Sequence, residues 1–191
     1  MTLLDKILSH NEKFVANKEF ERYKTTKFPN KKVVILSCMD TRLSDLLPVA
    51  MNVKHGDAKI IKNAGAVISH PFGSIMRSIL LAVYELNADE VMVVGHHNCG
   101  MSSLEPDHIL TKAVERGIDR KTIETLQYSG VDMDSFLTGF TVVEDSVRHS
   151  VELIANHPLI PKDVSIHGLV ICPETGALEL IINGYAKKST T

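Results

Sequence analysis

Two short runs of β-branched and apolar residues, Val33-Val34-Ile35-Leu36 and Val91-Met92-Val93-Val94, do most to restrict the folds open to this chain. Neither alternates polar with apolar, so each predicts a strand buried on both faces, as in a parallel sheet covered on either side. Between them, Lys59 to Lys62 is a weaker strand candidate. Ile75, Ile79, Val83 and Leu86 recur at helical spacing behind Ser74, a residue type able to cap a helix. Strand, helix and strand in that order predict a right-handed parallel crossover, with Gly95 closing the strand at 91–94.

Further along, Val143, Val147, Val151 and Ile154 predict a helix from Thr141 that ends before Pro158. Val164 to Ile171 and Ala177 to Ile182 read as strands joined through Pro173-Glu174-Thr175-Gly176, an antiparallel edge hairpin. The polar middle, 101–140, is helical in tendency, with Gly117 and Gly130 as stops and the charged stretch 107–127 as a solvated face. Leu3, Leu4, Ile7, Leu8 and Phe14 predict an amphipathic N-terminal helix. Little of the sequence from there to Asn30 is apolar, so a second subunit is expected to supply its contact surface. The expected class is α/β: a mostly parallel central sheet flanked by helices, with an antiparallel edge strand at the C-terminus, in one domain over 1–191.

A hydrophobic content of 44% in 191 residues supports a sizeable core without disulfides. The net charge of -2 gives no reason to expect nucleic acid or an anionic membrane as partner, since the basic pairs Lys31-Lys32 and Lys187-Lys188 are short. Charged residues interrupt Met1 to Phe14, which reads as neither signal peptide nor spanning helix, and a cytoplasmic location is expected. Cys38, Cys99 and Cys172 cannot all pair with one another. In a reducing compartment such residues are metal-binding, catalytic or buried.

In open parallel sheets, ligands gather outside the carboxyl ends of the strands. Cys38-Met39-Asp40-Thr41-Arg42 leaves the first buried strand there, and Gly95-His96-His97-Asn98-Cys99-Gly100 leaves the other. Two thiolates and one imidazole are three strong zinc ligands, and the open fourth position is the mark of a catalytic site. His96 is favoured over His97 because its two-residue gap to Cys99 lets both reach one ion; His97 is the alternative. Cobalt or ferrous iron suits the same ligands. Asp40 and Arg42, two apart in a segment taken as extended, point with Cys38 to one side, so the guanidinium is expected to grip the carboxylate beside the metal. Cys172 lacks ligand partners at suitable spacing and reads as a core or edge-strand residue. His167 reads as a hydrogen-bonded strand residue, Asn63-Ala64-Gly65-Ala66 as a turn or a pocket floor, and Val67, Phe72 and Ile75 as core packing in preference to the lining of an apolar passage.

Taken together, Cys38-x-Asp40-x-Arg42 followed by His96-x-x-Cys99-Gly100 resembles the signature of the β-class carbonic anhydrases, in the archaeal and bacterial branch. Gly56-Asp57-Ala58-Lys59, Asn63-Ala64-Gly65 and His167-Gly168-Leu169 extend the resemblance along the chain. It implies one zinc ion per subunit on Cys38, His96 and Cys99, with Asp40 and Arg42 as the catalytic dyad and the Gly100 amide near substrate. It also implies hydration of carbon dioxide to bicarbonate by zinc hydroxide, in a homodimer or dimer-based assembly. Asp40 as a fourth ligand would close the site. Carbon disulfide hydrolases share the pattern, which leaves hydrolysis of carbon disulfide or carbonyl sulfide as an alternative. A non-catalytic zinc protein closed by Asp40 is another.

Overall fold

The computed structural model describes residues 1–186, so Lys187 and Lys188 lie outside the described residues. The chain runs α1 (Leu3–Ala16), β1 (Val33–Cys38), α2 (Leu43–Ala50), β2 (Ala58–Asn63), α3 (Ser74–Leu86), β3 (Glu90–His96), α4 (Pro106–Glu115), α5 (Arg120–Tyr128), α6 (Met133–Leu137), α7 (Val143–Ala155), β4 (Ser165–Ile171) and β5 (Leu178–Ile182). The strands form one sheet in the order β2-β1-β3-β4-β5. All neighbours are parallel except β5, which returns antiparallel on β4.

The unbroken apolar runs follow from cover on both faces. Because side chains alternate along a strand, Val34, Leu36, Val91 and Val93 meet Met76 and Ile79 of α3 and Val147, Val151 and Ile154 of α7. Val33, Ile35 and Val94 face the other way onto Leu43 and Leu47 of α2. Cys38 and Cys99 belong to this second cluster, so the α2 face of the core leads directly to the candidate site.

Gly95 does not close β3 but lies inside it. A Cβ there would stand 2.8 Å from Cγ2 of both Val143 and Val147, so its missing side chain lets α7 press on the sheet. Gly95→Ala is expected to cost about 1–3 kcal/mol by overpacking, and urea unfolding that matches wild type would contradict this. Ser74 is not the cap of α3: Gly73 holds that position in extended backbone, without a side-chain cap bond. Ser74 is already helical, and its carbonyl accepts the Ser78 hydroxyl at 2.9 Å. Phe72 is not a core residue either. It is 70% exposed, with its ring beside those of His70 and His157. Ile75 does pack on the core from its edge.

Residues 101–140 leave the sheet as an excursion carrying α4, α5 and α6, none with a buried residue. Gly117 and Gly130, with φ of 97° and 92°, follow α4 and α5 in the left-handed conformation that glycine tolerates. The excursion is drawn closed at its base, where Ser103 N–H donates to the Phe140 carbonyl at 2.7 Å and Gly139 N–H to the Leu104 carbonyl at 2.9 Å.

Helix α1 begins with a reciprocal capping box between Thr2 and Asp5. It buries none of its residues, and Leu3, Leu4, Ile7 and Leu8 are each more than half exposed. Among the described residues no helix is long and apolar enough to cross a membrane.

Candidate metal centre

β1 and β3 are neighbours in register, with Ser37 opposite Val94. Their carboxyl ends therefore deliver Cys38 and His96 to the same edge of the sheet, and the turn after β3 brings back Cys99. All three residues are buried. The Cys38 and Cys99 sulfurs are 3.8 Å apart, and ligand atoms of Cys38, His96 and Cys99 lie within 4.8 Å of one another. Two sulfurs at about 2.3 Å from one tetrahedral zinc would stand about 3.8 Å apart, so the donors are spaced as that ion requires.

The imidazole is prepared in the same sense. His96 Nδ1 lies 2.8 Å from the His97 carbonyl, which assigns the proton to Nδ1 and leaves the lone pair on Nε2. That Nε2 is buried without a hydrogen-bond partner. A polar atom stranded beside two sulfurs is costly unless something binds it, and a divalent cation fits the donor set. His97 itself belongs elsewhere: its ring lies with Glu144 and Glu179, so the structure groups His96 rather than His97 with the two sulfurs.

The thiols respond to this setting in opposite directions. Burial alone would raise the Cys38 thiol, but the His96 ring and the Asp40 and Gly65 amides outweigh it and bring the thiol down. Burial raises the Cys99 thiol, the Met101 amide offsets only part of this, and the nearby Cys38 sulfur adds to the rise. Two acids this close lose their protons in sequence.

Asp40 and Arg42 meet, but not through an extended segment. Residues 40–42 turn sharply into α2, where Arg42 occupies the cap position with helical backbone angles. Asp40 Oδ1 accepts from the Arg42 backbone N–H at 2.9 Å and from Nε at 3.0 Å, and Oδ2 accepts from Nη2 at 2.7 Å. The Arg42 side chain, more than any other cause, holds the Asp40 carboxyl well below the usual carboxylate range. Arg42 Nη2 also donates to the Asn98 carbonyl at 2.9 Å. This ties the loop after β1 to the loop after β3, where Asn98 sits at φ 52°. The same Oδ2 is 3.8 Å from His96 Nε2, so the carboxylate borders the three donors.

A cavity of about 420 Å³ opens onto this group, lined by Cys38, Met39, Asp40, Thr41, Ala64, Cys99, Gly100 and Met101. No atom lies within 4 Å of where a Gly100 side chain would begin, so that residue borders open space. Cys172 lies just past β4, half-buried and outside the donor cluster. In β4, the His167 Nδ1 accepts the Gly184 amide at 3.2 Å, the hydrogen-bonded role its strand position predicts. Sequence reasoning missed the Asn98 carbonyl and the amides of Gly65 and Met101, because backbone groups leave no residue-type signal.

Fold and site together define an α/β protein with a buried Cys-His-Cys centre at the carboxyl edge of its sheet. A family model described as carbonic anhydrase matches residues 33–178. YvdA of Bacillus subtilis (strain 168), named provisionally as a carbonic anhydrase, is 61% identical over 185 residues, covering 97% of this chain and 94% of its own length. The crystal structure of β-carbonic anhydrase isoform I from Trichomonas vaginalis has a TM-score of 0.86 and 35% identity, covering 97% of this chain and 100% of that one. A carbon disulfide hydrolase of Acidithiobacillus thiooxidans is 29% identical over 78% of this chain and 76% of its own. The chain belongs to the β-carbonic anhydrase family of enzymes.

Proposed function

We propose that this protein catalyses the reversible hydration of carbon dioxide to bicarbonate and a proton, with one zinc ion held by Cys38, His96 and Cys99. The observation that carries the reading is the buried His96 Nε2, without a hydrogen-bond partner, beside two sulfurs 3.8 Å apart. When bound, zinc supplies the Lewis acidity that lowers the pKa of water from about 15.7 to about 7, so that hydroxide is available near neutral pH.

The chain's own residues do the rest. Asp40, ionised by its contact with Arg42, accepts a hydrogen bond from the attacking water and orients its lone pair toward the substrate carbon. Arg42 spans both carboxylate oxygens and keeps Asp40 out of the fourth ligand position. Met39, Ala64 and Met101 give the cavity apolar walls suited to an uncharged linear substrate. The Gly100 amide, beside open space, donates to an oxygen of substrate or product.

We read residues 1–191 as a single domain working as a homodimer or a dimer-based assembly in the cytoplasm. Three free cysteines suit a reducing compartment. A helix as short as α1 has little stability without a surface to cover its apolar stripe, and a second copy of the chain provides one. The double substitution Ile7→Glu with Leu8→Glu is expected to shift the protein to monomer in analytical ultracentrifugation, and an unchanged sedimentation coefficient would argue against α1 at the interface.

The activity is tested by stopped-flow carbon dioxide hydration across pH, with metal content measured on the same sample. Rapid hydration by protein holding about one zinc per chain supports the proposal. Hydrogen sulfide release from carbon disulfide, without carbon dioxide hydration, would transfer the site to the sulfur substrates. Stoichiometric zinc with neither activity would make it a closed, non-catalytic centre.

A further inference from the structure

The turn after β2 does something that neither the fold nor the proposed reaction requires of it. Asn63, Ala64, Gly65, Ala66 and Val67 pass beside the Cys38 sulfur, with Gly65 and Ala66 both left-handed, at φ 75° and 57°. Consecutive left-handed residues, one of them an alanine, are unfavourable and persist only when held. Asn63 holds them on both sides. Its side-chain Nδ2 donates to the Val67 carbonyl at 2.6 Å across the turn, and its own carbonyl accepts the Met39 amide at 2.8 Å. The shape so fixed directs the Gly65 N–H at the Cys38 sulfur, 3.3 Å away. Met101 Cγ and Phe140 Cε1 pack where a Gly65 side chain would begin, each 3.1 Å from that point.

We propose that the Asn63–Val67 turn is a clamp on the Cys38 sulfur. Asn63 is a positioning residue that sets the Gly65 amide, which in turn fixes the direction and electron-donor strength of one metal ligand. This rests on the metal reading above. A thiolate that accepts an N–H bond shares its charge with that donor as well as with a metal, and its lone pairs have a preset orientation. Without the bond, sulfur is richer in electrons and free to rotate. The clamp therefore acts on metal binding and on the colour of a thiolate-bound metal, quantities that a turn serving only to connect β2 and α3 would leave alone.

The test uses the full-length protein stripped of metal and reloaded with cobalt, whose sulfur-to-cobalt charge-transfer absorption reports the donor strength of the thiolates. Asn63→Ala removes the amide that holds the turn, and Gly65→Ala disturbs the turn directly. In each, the band is expected to move to lower energy and cobalt affinity, by competition with a chelator, to fall about 10- to 100-fold. Ala66→Gly keeps the amides and relaxes a left-handed position, so band and affinity are expected to stay as in wild type. If Gly65→Ala fails to fold, Asn63→Ala decides, since Asn63 borders a cavity of about 670 Å³. Variants that keep the wild-type band and bind cobalt within about twofold would overturn the clamp. A wild-type cobalt protein with no sulfur-to-cobalt band would overturn the metal reading itself, and the clamp with it.

Discussion

Cys38→Ser is expected to abolish carbon dioxide hydration and to lower zinc affinity by more than about 100-fold. Serine has nearly the size of cysteine, so the end of β1 keeps its place between α2 and the turn at Gly65. The chemistry of the donor changes instead. The Cys38 thiol is brought within reach of neutral pH by the His96 ring and the Asp40 and Gly65 amides despite burial, whereas a serine hydroxyl keeps its proton and offers zinc a neutral oxygen. The cost in stability is small, about 1–3 kcal/mol for a buried hydroxyl that finds imperfect partners. Metal analysis, circular dichroism and stopped-flow hydration on one preparation separate loss of the ion from loss of the fold. A folded Cys38→Ser protein with full zinc and wild-type turnover would remove Cys38 from the ligand set.

Arg42→Ala is expected to retain zinc yet lose about 10- to 100-fold in hydration near neutral pH. Arg42 occupies both oxygens of Asp40 and, through Nη2, the carbonyl of Asn98. Without the guanidinium, the carboxylate keeps only the backbone N–H of residue 42. Its Oδ2 then needs only a short rotation from 3.8 Å to enter the donor group around His96. Because Arg42 depresses the Asp40 pKa, the stabilisation of the pair is present at neutral pH. It is lost only as pH falls through a value well below the ordinary carboxylate range. The alanine variant lacks the pair at every pH, and its Asp40 carboxyl takes up a proton at a higher pH than in wild type. Arg42→Lys restores little, since an ammonium cannot span two oxygens in a plane. Hydration by Arg42→Ala equal to wild type would show that Asp40 needs no such restraint.

The parts of the fold that were legible in the sequence are those whose physics is periodic. Val33 to Leu36 and Val91 to Val94 have no polar side, and only a sheet covered on both faces gives every one of those side chains a partner. The 3.6-residue rhythm of Val143, Val147, Val151 and Ile154 marked α7 for the same reason. Local exceptions escaped. Gly95 looks like a strand terminator until α7 is seen to need its missing Cβ, and Ser74 looks like a cap because residue type says nothing of which peptide turns first. Phe72 is apolar, yet it lies at the surface, its ring beside that of the nearby His70 and that of the distant His157. At the site, residue types and spacing nominated Cys38, His96, Cys99, Asp40 and Arg42. Their meeting depends on a turn that brings Asp40 and Arg42 together by folding the segment rather than extending it. The Gly65 amide and the Asn98 carbonyl could not be nominated, because every residue carries such groups and only conformation aims them.

The pinched base of the α4–α6 excursion separates two kinds of constraint. Ser103 with Phe140 and Leu104 with Gly139 carry the chain across the gap, while Met101 and Phe140 touch the Gly65 turn from the inner side. Beyond the pinch, α6 still shares a cavity with Asn63 and Ala64 through Asp134, Ser135 and Phe136, whereas α4 and α5 take no part in lining it. Because the entropy of closing a loop rises only slowly with added residues, α4 and α5 can be shortened, extended or exchanged at little thermodynamic cost. The excursion is thus the natural place for related chains to differ in size while the sulfur and imidazole donors keep their spacing.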